Sequence, residues 1–298
     1  MHATKPQDAQ RPMQAFTAPR LPLLVFTDLD GTLLDHDDYD FAPALPALAR
    51  LHELGIPLIP TTSKTLVESA ELNARLDNIH PCIVENGSAL CIPPGYLPEA
   101  TDSELHSGYQ VERLAPGYET VLSELQRLRE QFGFRFRGFN DMSATEVAVD
   151  SGLDLHSAAC AKQRVCSEPV IWEDSSTALA AFREQLEQVG LRLTRGGRYW
   201  HVMGQTDKAA AMQRLCERYA AAGFAKPTTI ALGDSPNDAE LLSAADIAVI
   251  IPRKDGTHLA CQGKQQTLQA AHPGPEGWNA AMLQLLAQFV TTLPVDAG

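Results

Sequence analysis

Leu24-Val25-Phe26-Thr27-Asp28-Leu29-Asp30-Gly31-Thr32 is the stretch whose reading decides the fold of this chain. Apolar and β-branched residues lead into Asp28, and a glycine and a threonine follow Asp30, so a buried strand runs into a turn. In an open α/β sheet, ligands bind beyond the carboxyl ends of the strands. Two carboxylates two residues apart on a continuing strand point the same way, and they repel unless a cation or a substrate lies between them. Asp28 can attack phosphorus and form an aspartyl-phosphate, while Asp30 can protonate the leaving oxygen and later deprotonate water. Taken alone, the pair fits a strand end with an Asx turn equally well, and the rest of the chain must choose.

An apolar share of 44% and a charged share of 20% suit a soluble globular chain, and 298 residues are enough for two domains. No apolar run reaches the roughly eighteen residues of a membrane span. A net charge of −13 argues against a nucleic-acid partner, which needs clustered Lys and Arg, but leaves a small anionic substrate open. Residues 1–20 carry His2, Lys5, Asp8 and Arg11 with Pro6, Pro12 and Pro19, and lack the apolar core of a signal peptide; they predict a flexible tail. Cys82, Cys91, Cys160, Cys166, Cys216 and Cys261 form no CxxC pair and predict reduced thiols and a cytoplasmic protein.

From the opening strand the pattern works outward in both directions of reading. Helical spacing over Pro43–Leu54 stops at Gly55, followed by a strand at Ile56–Pro60, a helix over Leu66–Leu76 and a third strand at Cys82–Val84. That rhythm predicts a parallel α/β sheet. After Leu90 it changes to shorter alternating strands near residues 134–139, 168–172, 191–194 and 199–203, with helices between them, the pattern of an antiparallel α+β module. The parallel rhythm resumes with a helix from Lys208, the strand Thr228–Leu232 and the strand Ile247–Ile251. The expected organisation is a discontinuous core, residues 21–90 and 204–298, interrupted by a cap domain at residues 91–203, with a cleft between them.

Chemistry-bearing residues recur at strand ends and helix starts. Thr62 can hold a phosphoryl oxygen or simply cap its helix. Lys208 opens a helix, where the dipole disfavours a cation, which suggests that it serves to hold phosphate and steady Asp28. In Gly233-Asp234-Ser235-Pro236-Asn237-Asp238, Asp234 supplies a third carboxylate. Asp28, Asp234, the Asp30 carbonyl, a phosphoryl oxygen and waters match the hard octahedral oxygen set of Mg²⁺. Asp238 is expected to support that set from behind, and Asn237 either caps the helix or reaches the phosphate.

Asp28-Leu29-Asp30-Gly31-Thr32, Thr62, Lys208 and Gly233-Asp234-Ser235-Pro236-Asn237-Asp238 resemble, in order, the four motifs of the haloacid dehalogenase-like (HAD) phosphohydrolases. The long insertion between Thr62 and Lys208 resembles the α/β cap (C2B type) of the Cof-type branch. Over residues 21–280 the chain is similar to the mannosyl-3-phosphoglycerate phosphatase family, through Thr62-Ser63-Lys64-Thr65, Glu85-Asn86-Gly87, Arg164-Val165-Cys166-Ser167-Glu168-Pro169, Gly197–Gly204 and Gly274-Pro275-Glu276-Gly277-Trp278.

The resemblance implies a HAD-like Rossmannoid core with Asp28 as nucleophile and Asp30 as acid/base, Thr62 and Lys208 on the phosphate, and Mg²⁺ on Asp28, Asp30 and Asp234. It further implies that Ser63, Lys64, Asn86, Gly87, Arg164, Ser167, Glu168, His201 and Asn237 meet a small phosphorylated sugar-glycerate, releasing mannosylglycerate, a compatible solute. An arginine fork at Arg164 suits a glycerate carboxylate. Glucosyl-3-phosphoglycerate or another sugar phosphate is the alternative substrate. A phosphomutase sharing the Asp nucleophile and a non-enzymatic binding protein are the more distant readings.

Overall fold

The computed structural model describes residues 22–291, so the expected tail at residues 1–20 lies outside them. The first half of the chain runs β1 (Leu23–Thr27), α1 (Leu45–Leu54), β2 (Leu58–Pro60), α2 (Leu66–Arg75), β3 (Cys82–Val84), β4 (Ala89–Ile92), β5 (Ser103–His106), β6 (Tyr109–Arg113), α3 (Tyr118–Phe132) and β7 (Phe136–Gly138). It continues through α4 (Ala144–Ser151), α5 (Leu155–Ala161), β8 (Ser167–Trp172), α6 (Ser176–Gln188), β9 (Leu191–Arg195) and β10 (Trp200–Gly204). The last part is α7 (Lys208–Ala221), β11 (Thr228–Gly233), α8 (Ala239–Ala244), β12 (Ile247–Ile250), β13 (Gln266–Gln269) and α9 (Gly274–Thr291).

Every residue of β1 is buried, as befits a strand flanked on both edges and covered on both faces. The core is a Rossmannoid sheet of five parallel strands in the order β13-β12-β11-β1-β2. Leu23 and Val25 pack with Leu51, Trp278 and Leu285 from α1 and α9, whereas Leu24 and Phe26 pack with Met212, Leu215 and Leu241 from α7 and α8. The chain leaves β1 toward β2 and returns to β11 on its other side. The strand order therefore reverses between β1 and β11, and their carboxyl ends flank a crevice.

Two antiparallel sheets accompany this core, in the orders β3-β4-β6-β5 and β7-β8-β10-β9. Cys82–Val84, expected as a third parallel strand, adjoins the core through a parallel bridge between Thr61 and Ile83, and along its other edge it pairs antiparallel with β4. The reason is local. Glu85 and Asn86 both take positive φ, which folds the chain straight back into the Ala89–Ile92 hairpin partner.

The expected boundary at residue 90 cuts through that sheet. Ile92, Tyr96 and Leu97 share one apolar cluster with Leu24 and Phe26, and β6 pairs with β4, so the packing changes only after about Arg113. Beyond it, α3 and α6 cover one face of the second antiparallel sheet through Leu125, Phe136, Val170, Phe182 and Val202. On the other face, α4 and α5 meet Phe139, Ile171 and Tyr199. No helix among the described residues is long and apolar enough to cross a membrane.

Candidate active site

Asp28 follows the last residue of β1, and its amide donates to the carbonyl of Leu232 at 2.9 Å, which locks it against the end of β11. Asp234 follows β11 directly. Gly31, at φ +83°, lets the turn after Asp30 pass over Asp234; a Cβ there would lie 3.0 Å from Asp234 Oδ2. From behind, the buried Trp278 indole donates to Thr27 Oγ1 at 3.0 Å, and that hydroxyl donates to the Asp28 carbonyl at 2.7 Å. The strand end carrying Asp28 is thus held from both sides.

Lys208, the first residue of α7, is fully buried and donates to Asp28 Oδ1 and Asp238 Oδ1, each at 2.6 Å. Burial disfavours its charge, yet Asp238 and Asp28 outweigh that and raise its pKa. Asp238 spends its other oxygen on the amides of Asp234 and Ser235 at 3.2 and 3.0 Å. Gly233 has no room for a side chain there, since a Cβ would come 2.5 Å from Asp238 Cβ.

Oxygens of Asp28, Asp234 and Asp238 lie within 4.8 Å of one another. Burial, with added repulsion from Asp238 and Asp234, pushes the Asp28 carboxyl well above its usual range despite Lys208. Burial and Asp238 likewise push Asp234 up to about 7, against Arg253 and Lys208. Three buried carboxylates around a single ammonium are short of positive charge, and all their donors are hard oxygens. That set suits Mg²⁺. Asp28 and Asp234 are the groups that can hold it, because both Asp238 oxygens are already engaged.

These groups open onto a cavity of about 490 Å³ whose wall includes Asp28, Asp30, Ser63, Lys64, Arg164, His201, Asp234 and Asn237. Asp30 turns from the carboxylate trio toward Lys64, whose ammonium is 3.0 Å from Asp30 Oδ1 and 4.8 Å from the Tyr39 ring centre. Burial works against the Lys64 charge, but Asp30 and Glu68 leave its pKa raised. Thr62 is buried beside this wall, its hydroxyl accepting from the Lys64 amide at 3.1 Å. Asn237 donates to Asn86 Oδ1 at 2.9 Å, tying Asn86 to the same corner from below.

The remaining expected residues are placed differently. Gly87 abuts the start of α7, where a Cβ would fall 2.1 Å from the Asp207 carbonyl oxygen, so the space beside it is filled by backbone rather than by a cavity. Ser167 donates to Glu85 Oε2 at 2.8 Å and does not line the cleft. Glu168 pairs in register with Val202, while its neighbour Pro169 pairs with His201. Strand alternation therefore turns Glu168 to the α3 face, where it accepts from Tyr118 at 2.7 Å and from the Asn140 amide at 2.7 Å. Arg164 does reach the cleft, but its fork donates to the Ser63 carbonyl at 3.0 Å, Ser167 Oγ at 2.9 Å and the Ser167 and Ala161 carbonyls.

Glu85 has a role that sequence reasoning missed. Fully buried, it accepts from the Val165 amide at 2.7 Å, the Cys166 amide at 3.0 Å and Ser167, and lies 3.7 Å from Arg164. A charge placed directly after the apolar run Cys82–Val84 was the available signal. Arg253 and Lys254 also line the cleft, and the Arg253 Nε donates to the Asp234 carbonyl at 3.2 Å. They follow β12, another carboxyl strand end, and obey the same positional logic as Asp28. Tyr39, Phe139, Arg198 and Tyr199 also line the cleft.

The model of the haloacid dehalogenase-like hydrolases matches residues 25–95 and 172–255, the segments that carry Asp28, Thr62, Lys208 and Asp234. A relative from Methanococcoides burtonii, named glucosyl-3-phosphoglycerate/mannosyl-3-phosphoglycerate phosphatase, is 40% identical over 266 residues, 89% of this chain and 97% of its own. One of the same name from Persephonella marina is 34% identical over 268 residues, 90% and 98% of the two chains. Among solved structures, Thermoplasma acidophilum protein 0175 superposes with a TM-score of 0.62 at 15% identity, over 89% of this chain and 99% of its own, a likeness of fold. With its motif residues gathered at one strand-end crevice and near-complete matches to two such relatives, this chain belongs to the haloacid dehalogenase-like hydrolases and, within them, to the family of the glucosyl-3-phosphoglycerate/mannosyl-3-phosphoglycerate phosphatases.

Proposed function

We propose that the chain is a Mg²⁺-dependent phosphatase that hydrolyses both glucosyl- and mannosyl-3-phosphoglycerate, releasing the glycosylglycerate and phosphate. The observation that carries this reading is the buried Asp28–Lys208–Asp238 array at the floor of a cleft whose walls gather Lys64, Arg164, Arg198, Arg253 and Lys254 in a chain of net charge −13. A substrate with a phosphate at one end and a carboxylate further along matches cations distributed in that way. Tyr39, Phe139 and Tyr199 offer apolar faces for a sugar ring.

In this reading an Asp28 carboxylate oxygen attacks phosphorus as the ester P–O bond breaks, forming an aspartyl-phosphate. Asp30 gives its proton to the departing glycerate oxygen, then takes one from the water that cleaves the acyl phosphate. Lys208 orients the nucleophile and favours its ionised form, and Lys64 pairs with the Asp30 carboxylate at the cleft wall. Thr62 and the backbone after it bind phosphoryl oxygen. Mg²⁺ on Asp28 and Asp234 would offset the repulsion between nucleophile and phosphate.

The packing favours an inserted cap at residues 114–203 on a core of the remaining described residues, and a cytoplasmic setting suits thiols that form no disulfide. Phosphate release from matched glucosyl- and mannosyl-3-phosphoglycerate and from simple hexose phosphates tests the substrate. Both glycosylated glycerates are expected to be turned over far faster than the hexose phosphates. Equal rates across the panel would overturn the assignment.

A further inference from the structure

Away from the cleft mouth, on the outer side of the junction between α2 and α5, three side chains of metal-ligating type converge. His156 and Cys160 stand four residues apart on α5 and so share one face of that helix. Glu71, on α2, meets them across the junction. His156 Nε2 is 2.9 Å from Glu71 Oε1, Cys160 Sγ is 3.7 Å from the same oxygen, and Sγ and Nε2 are 3.6 Å apart. Glu71 and His156 are exposed, and the cysteine is buried beneath them.

Those spacings have a specific meaning for a tetrahedral ion. Zinc bonds of about 2.3 Å to sulfur and about 2.0–2.2 Å to nitrogen and oxygen hold ligand atoms about 3.3–3.6 Å apart. The two separations to sulfur, 3.6 and 3.7 Å, lie close to that triangle, and the 2.9 Å hydrogen bond between His156 and Glu71 has to open by only about 0.4 Å to admit the ion. The donor set also differs in kind from the carboxylate trio below the cleft: one thiol, one imidazole and one carboxylate favour a borderline-soft cation over Mg²⁺. We propose that Glu71, His156 and Cys160 form a binding site for a thiophilic divalent cation, zinc above all, that ties α5 to α2.

The cation displaces the thiol proton to solvent and forms a metal–sulfur bond, so that thiolate, carboxylate and dication together are neutral. Three protein ligands leave the fourth position to water, which makes the site exchangeable rather than a permanent structural centre. Its place gives the ion a consequence. The Thr65 hydroxyl at the start of α2 donates to the Cys160 carbonyl at 3.1 Å, and the next residues of that segment, Ala161 and Arg164, line the cleft. A bound cation therefore braces the wall formed where the insertion meets the core.

The test is titration of the full chain, stripped of metal and held in excess Mg²⁺, with Co²⁺. A near-ultraviolet thiolate-to-cobalt band and the visible bands of four-coordinate cobalt are expected to saturate at one equivalent and to bleach on adding Zn²⁺. Cys160→Ser should remove the thiolate band. His156→Ala and Glu71→Gln, both at exposed positions, should keep the fold and the Mg²⁺-supported activity but weaken Co²⁺ binding about tenfold or more. Circular dichroism verifies that each variant is folded. A thiolate band that survives in Cys160→Ser, an unchanged affinity in folded His156→Ala, or no band at all in the wild type would overturn the proposal.

Discussion

Lys208 Nζ lies 2.6 Å from Asp28 Oδ1 across 180 residues of sequence, inside a site where the lysine is completely buried. Removing one partner of such a pair leaves an uncompensated charge, which costs about 3–5 kcal/mol. Lys208→Met is therefore expected to lower the melting temperature as well as activity. Asp28→Asn should retain the fold and lose turnover by about a thousandfold or more, as expected when a nucleophile is deleted. Denaturant melts alongside phosphate-release assays separate the two outcomes; a stable, active Lys208→Met would contradict the arrangement.

Chelation should abolish activity and Mg²⁺ restore it. Asp234→Ala is expected to raise the Mg²⁺ concentration needed for half-activity far more than Asp238→Asn. The second change should instead act on stability, because both Asp238 oxygens are bonded within the protein. Magnesium titrations of the two variants check the order, and the reverse order would move the metal onto Asp238.

Glu85 anchors three donors of the Val165–Ser167 segment and lies beside the Arg164 guanidinium. Glu85→Ala leaves those groups buried without acceptors, so a loss of about 3 kcal/mol or more is expected in equilibrium unfolding. Arg164→Ala should also destabilise, since its fork is engaged with Ser63, Ser167 and Ala161. A fully stable Arg164→Ala variant with a loss confined to the glycosylated glycerates would instead restore the simple carboxylate-fork role.

His201 is buried, and burial, helped by Arg164, Lys208 and Arg195, depresses its pKa to about 3. A histidine kept neutral in the fold but titrating near about 6.5 when unfolded contributes its stability above that pH. As pH falls from about 6.5 toward 3, the unfolded chain gains the proton first, and stability drops by up to about 1.4 kcal/mol per pH unit. Urea unfolding of wild type and His201→Gln at pH 7, 5 and 4 should show a shallower acid loss in the variant. Parallel pH profiles would place the acid sensitivity elsewhere.

Much of the core was legible in the chain because its signals are local. An apolar run such as Leu24–Phe26 demands burial, helix spacing before Gly55 sets α1, and carboxylates at the ends of β1 and β11 announce a strand-end site. The motifs at those ends resemble those of the family, and it was that resemblance, beyond residue types and spacing, that pointed to the family and its reaction. The tertiary structure alone decided what depends on register and on distant partners. The positive φ of Glu85 and Asn86 turned the chain back so that Cys82–Val84 also pairs antiparallel with β4. Pairing of β8 with β10 turned Glu168 to the α3 face while leaving Pro169 and His201 toward the cleft. One residue of strand register reverses a side chain's direction, and no composition or motif carries that information. The same holds for Glu71, His156 and Cys160: their types are visible in the sequence, but only the docking of α5 on α2 brings a carboxylate within 2.9 Å of an imidazole from a segment 85 residues away.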